Sequence, residues 1–156
     1  GVGGEDAAEM LARLDRDVLA ERPQLVIWQA GGNGAMRGRD PEEFRTLLAA
    51  GIARLREAGA DVILMDNQRA PRILAAPAAP RFEAAMAALA RTLGIGLFAR
   101  GRLMDVWASA GVPADALLVG DGIHHNDRGY ACLAAALAGS LVAGLRDSGP
   151  VLTARR

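Results

Sequence analysis

The sequence predicts an α/β domain in which a parallel sheet lies between layers of helices. Short apolar blocks edged by glycine or acidic residues, "LVIWQA", "DVILMD" and "IGLFA", alternate with longer amphipathic stretches. Unbroken apolar blocks of this length read as strands buried on both faces. The stretches between them are long enough for the crossover helices that parallel neighbours require.

The elements follow in order. Residues 5–20 put Ala8, Leu11, Leu14, Val18 and Leu19 on one helical face, and Pro23 ends that helix. Residues 25–30 form the first strand. Residues 41–58 form a helix with Asp40 as N-cap, Pro41 at its first position and Gly59 after it. Residues 61–66 form the second strand, followed by a Pro- and Ala-rich loop over 67–80. Residues 81–93 form a helix closed by Gly94, and 95–99 the third strand. A shorter helix covers 101–110, and 127–145 is the last. Trp28, Phe44, Phe82 and Phe98 fall at core positions. No repeat or linker interrupts residues 1–156, so one domain is expected, with a polar tail over 147–156.

Lys plus Arg equals Asp plus Glu at 18 each. A balanced charge argues against nucleic acid or an anionic membrane as the main partner. Cys132 stands alone, which excludes an internal disulfide and a cysteine-built metal site. No apolar run reaches the ~20 residues of a membrane span. The chain opens on Gly1 rather than Met and is expected to be the later part of a longer product. Its compartment is not legible.

Parallel sheets bind ligands beyond the carboxyl ends of their strands, so the polar residues there are the functional candidates. "DGIHHND" spaces Asp121 and His124 as D-x-x-H. A carboxylate at that spacing can hold the Nδ1 proton of a general-base imidazole, or both residues can simply cap the next helix. Asn126 or Asp127 already suits the cap, which favours chemistry. Asn33, in "GGNG" after the first strand, can donate to an oxyanion or sit in a glycine turn. "GVGGEDA" places glycines before a helix, where backbone N–H groups can hold an anion.

Together "GEDAAEMLARL", "GGNGAMRG" and "DGIHHND" resemble, in that order, the conserved blocks of the SGNH hydrolases, or GDSL esterases and lipases. The branch most similar holds small bacterial acyl hydrolases and thioesterase/lysophospholipases, and the resemblance covers nearly all of residues 1–145. It implies a flavodoxin-like three-layer α/β/α fold and a serine ester hydrolase working through an acyl-enzyme. His124 would be the general base and Asp121 its orienting carboxylate. Gly4, or Gly3 if the register slips by one, would supply a backbone N–H to the oxyanion hole, and Asn33 a side-chain N–H. Neither metal nor organic cofactor is implied. The partner would be a small acyl ester. The loop over 67–80 would form a substrate wall, with Gln68, Arg69 and Arg72 receiving a polar or anionic head. Those same charges equally suit a solvated loop.

The sequence departs from the family pattern in three places. Gly34 stands where an Asp usually follows the block Asn, so Asn33 is expected to be less firmly oriented. His125 stands where Pro is common and reads as tolerated and non-catalytic. The nucleophile serine belongs to a Gly-Asp-Ser segment after the fold's first strand, and none of Ser109, Ser140 or Ser148 follows Gly-Asp. That strand, its helix and the serine are therefore expected upstream of Gly1 or from a second chain that completes the sheet. The same constellation serves carbohydrate O-acetyl esterases and acetyltransferases, and a non-catalytic binding or assembly module could retain the fold.

Overall fold

The computed structural model of the chain describes residues 1–147, so most of the expected tail lies outside the described residues. The first helical stretch is broken. Helix α1, Ala7–Ala12, starts at a capping box in which Asp6 accepts from the Ala8 N–H and Glu9 accepts from the Asp6 N–H. Arg13, outside helical geometry, separates it from α2, Leu14–Asp17. A 3₁₀ turn, Leu19–Glu21, and a left-handed Arg22 then deliver the chain to β1, Leu25–Gln29.

The glycine block after β1 forms a short helix rather than the expected loop. This is α3, Gly32–Met36, opened by Gly31 at φ 108°. The following α4, Pro41–Glu57, carries the Asp40 cap and the leading proline as expected. Strand β2, Asp61–Met65, leads into a segment that holds a single turn, α5, Pro71–Leu74, before α6, Ala79–Leu93. Gly94 closes α6 in the left-handed conformation at φ 61°. Strand β3, Gly96–Phe98, is followed by α7, Arg100–Ser109, a 3₁₀ turn, Ala114–Leu117, and α8, Asp127–Asp147.

The strands form one parallel sheet in the order β1-β2-β3. Val26 pairs with Val62, and Met65 with Phe98, which brings the carboxyl ends level. One face carries α1, α4 and α6 over a core of Trp28, Phe44, Leu48, Ile52, Leu64 and Phe82. Helix α8 covers the other face, where Leu133 meets Met65 and Phe98. The result is the three-layer α/β/α architecture the sequence predicts. No helix among the described residues is long and apolar enough to cross a membrane.

The close approach of α4 to the sheet requires glycine at Gly51. A Cβ there would stand 2.4 Å from the Trp28 ring, whose Nε1–H donates to Met10 Sδ across 3.4 Å. Coverage of β1 is uneven. Among the described residues no strand pairs with its outer edge. Leu25 and Ile27, facing away from Trp28, keep 39% and 40% of their surface exposed.

Candidate active site

Beyond the sheet's carboxyl end, residues 117–126 double back as a tight loop. The Val119 N–H donates to the His124 carbonyl, the Asn126 N–H donates to the Leu117 carbonyl, and Leu118 bridges His125 antiparallel. Within the loop Asp121 has two tasks. Its Oδ1 accepts the N–H groups of Ile123 and His124 at 2.8 and 3.0 Å, closing a turn through Gly122 at φ 70°. Its Oδ2 lies 2.6 Å from His124 Nδ1. An ionised carboxylate only accepts, so Nδ1 carries a proton, and in the neutral ring that leaves Nε2 as the acceptor. The His124 hydrogen bond, helped by the two N–H groups, pulls the Asp121 carboxyl down to about 2.

The helix cap is a separate group. Asn126 Oδ1 accepts the Gly129 N–H at 2.8 Å, while its Nδ2 donates to the Ala116 and Leu118 carbonyls. Asp121 and His124 take no part in capping, which removes the main alternative account of their spacing.

Asn33 sits in the first turn of α3, at the carboxyl end of β1. Its Nδ2 donates to the Glu5 carbonyl across 2.8 Å, so the amide is held although no carboxylate follows it. An amide nitrogen carries two protons, and this bond uses one. Gly4 adopts φ 81°, and Arg37 Nη2 donates to its carbonyl at 2.6 Å. An Asp at Gly34, as the family has, would crowd the core. A Cβ there would stand 2.9 Å from Phe82 Cε1, in a ring pair whose centroids are 4.6 Å apart.

His124, with 63% of its side chain exposed, lines a groove of about 500 Å³ together with Gly4, Asn33, Gln29 and Ile27. Gly3 lines it as well. The groove thus runs along the unpaired edge of β1. A second space of about 90 Å³ opens between the ends of β1 and β2, bounded by Asn33, His124, Gly31, Asn67, Ile73 and Ile123.

The loop candidates separate. Gln68 is buried and its Nε2 donates to the Ile123 carbonyl at 2.7 Å, tying the Asp121 loop to the end of β2. Arg69 is committed to Glu83 and Asp105. Arg72 makes no ion pair among the described residues; its stem packs on Gly122 and its N–H donates to the Gly122 carbonyl. The hydroxyls of Ser109 and Ser140 donate to carbonyls of their own helices, and neither lines the groove. Ser148 lies outside the described residues.

Sequence reasoning missed Asn67 and did not foresee the burial of His125. Asn67 is buried with its amide against Gly31 and Gly32, and its place directly after β2 was a usable signal. His125 is buried and hydrogen-bonded to the Leu117 carbonyl, which a bare HH pair does not reveal.

The profile of the Non-GDSL lipase-like family matches residues 1–147. Over 70 residues the chain is 36% identical to "Esterase TesA" of Pseudomonas aeruginosa strain PAO1, a match covering 45% of this chain. It spans 35% of that relative's length. The lipase/acylhydrolase from Enterococcus faecalis superposes with a TM-score of 0.74 at 24% identity, over 88% of this chain and 71% of that one. The acetyl xylan esterase AlAXEase gives the same TM-score at 20% identity, over 90% and 78%. At such identities these two structures share the fold.

Proposed function

Because this chain belongs to the Non-GDSL lipase-like family, within the SGNH hydrolases, we propose that it is the main body of a serine ester hydrolase. The observation that carries this reading is the His124–Asp121 pair standing in one groove with Asn33 and Gly4. A serine hydroxyl attacks the ester carbonyl while His124 Nε2 takes its proton. The Gly4 N–H and the second Asn33 amide proton stabilise the oxyanion. Collapse of the tetrahedral intermediate expels the alcohol, which receives that proton from His124, and water then releases the acyl group by the same steps.

The nucleophile comes from a strand that occupies the groove and pairs with the free edge of β1. Support comes from the unpaired edge, from the exposed Leu25 and Ile27 that a following helix would cover, and from the groove's end at His124. That strand belongs to this protein's own N-terminal segment or to a second chain. The 90 Å³ space beside His124 suits a short acyl group, being smaller than the roughly 150 Å³ apolar cavity that admits benzene. This favours short acyl groups over long ones among the esters of the class, an O-acetyl ester of a carbohydrate being one of them. Arg72, beside Gly122 and without an ion pair among the described residues, is a candidate to receive an anionic head.

The test is a fluorophosphonate label with p-nitrophenyl acetate and butyrate turnover on the gene's full product and on residues 1–156. Labelling and turnover in the first, absent in the second, is the expected result. Turnover by residues 1–156 that survives alanine at Ser109, Ser140 and Ser148 would defeat the reading, as would a full product that neither labels nor turns over.

A further inference from the structure

His125 follows the proposed base but faces the other way. The chain bends at His124 and bridges Leu118 at His125. His124 stands in the groove while His125, at 4% exposure, is turned inward. Its Nδ1 lies 3.2 Å from the Leu117 carbonyl oxygen. That oxygen can only accept, so Nδ1 carries the proton.

The surroundings are close on every side. Tyr130 of α8 meets the ring edge-on at a centroid distance of 5.5 Å. A Cβ at Gly129 would stand 2.7 Å from Nδ1 and 2.2 Å from the Leu117 oxygen. The charged neighbour is Arg100 of α7, at 2% exposure, with Nε donating to the Asp66 carbonyl and Nη2 buried without a partner among the described residues. Burial holds the Arg100 guanidinium down to about 10. The Asp66 carboxyl accepts the Gly101 N–H, and burial raises it. His125 Nε2 is likewise buried without a partner among the described residues. A second proton there would have no acceptor and would add a buried cation near Arg100.

We infer that His125 is a positioning residue for His124, its buried Nδ1–H tying the returning limb of the Asp121 loop to Leu117. The inference rests on the reading of His124 as general base. The same Leu117 oxygen accepts the Asn126 N–H and the Val119 N–H holds the His124 carbonyl, so the His125 side chain adds a further tie to the limb that carries His124. On this inference, loss of the donor loosens that limb. A shift near 1 Å at a reacting group can cost about 100-fold.

The experiment compares wild type, His125→Leu and His125→Asn in the gene's full product. Leucine keeps bulk without a donor, whereas the asparagine amide replaces Nδ1–H. The expected result is a kcat lowered about 10- to 100-fold in His125→Leu, with KM within about twofold, and recovery of most of that loss in His125→Asn. Imidazole ¹⁵N spectra should show His125 as the Nδ1–H tautomer in wild type. They should show His124 changing from a fixed Nδ1–H tautomer to a mixture in His125→Leu. Wild-type kcat in a folded His125→Leu overturns the inference, as do equal losses in both variants or an Nε2–H tautomer at His125. If His125→Leu does not fold, the wild-type tautomer and the His125→Asn kinetics decide. A wild type without ester turnover counts against the acyl-transfer reading alone, and the spectra then decide the role of His125.

Discussion

The Asn33 side-chain amide donates to the Glu5 carbonyl across 2.8 Å, joining the end of β1 to the glycine turn before α1. Both proposed oxyanion donors are thereby set against one another by a single bond. Asn33→Ala should lower kcat about 10²–10³-fold and leave KM nearly unchanged, because such a donor acts mainly in the transition state. Kinetics on one short-chain ester, with melts to check folding, measure this. Wild-type kcat in a folded variant would remove Asn33 from the site.

Gly34→Asp restores the family's usual residue but should not raise kcat. The added Cβ meets the Phe82 ring at 2.9 Å, and Phe82 is itself packed on Phe44. Overpacking of this kind costs about 1–3 kcal/mol, so the melting temperature should fall by several degrees. An unchanged melt with a faster enzyme would show that Glu5 does not suffice to hold Asn33.

Asp121→Asn tests whether the carboxylate acts through charge and tautomer. The amide keeps an acceptor for the Ile123 and His124 N–H groups, yet its NH₂ facing Nδ1 selects the wrong imidazole tautomer. A loss near 10⁴-fold in kcat is expected, with folding preserved. With the Asp121 carboxyl held at about 2, it stays ionised across the working range. It therefore adds no inflection to the activity profile above about pH 3. An acid limb that vanishes in Asp121→Asn would contradict this.

His125 gives stability a pH dependence of defined sign. Burial, with Arg100 adding to it, holds its folded value below the ordinary 6.5, against the Leu117 hydrogen bond. Between those values the unfolded chain binds more protons, so stability falls as pH is lowered from 6.5 and levels off below the folded value. Asp66, raised by burial, acts with the opposite sign above 3.8 and is common to wild type and His125→Asn. The difference between their urea midpoints, followed from pH 8 to about pH 5, therefore isolates His125. Parallel curves would show that His125 does not titrate in this window.

The parallel sheet was legible because β1, β2 and β3 are unbroken apolar blocks with capped helices between them, while its order came from the structure. Asp40, Pro41 and Gly94 mark boundaries by local chemistry that tertiary context does not override. The break at Arg13 was hidden, since Leu11, Leu14 and Val18 keep helical spacing across it. The α3 turn was also hidden, because "GGNG" satisfies turn chemistry and helix start alike. At the site, Asp121, His124 and Asn33 were legible from order and spacing. The ties that hold them were not. Glu5 to Asn33, Gln68 to Ile123 and Leu117 to His125 join backbone carbonyls to side chains, and a carbonyl has no signature in a sequence.

Strand order in this sheet follows chain order, so each strand pairs with the next one to be made. About 30 residues separate each strand from the next, and closure entropy grows only slowly with such lengths. On the reading proposed above, a strand added at the outer edge of β1 would meet a loop in which Asp121 already holds His124, and would bring only the missing hydroxyl to groups set without it.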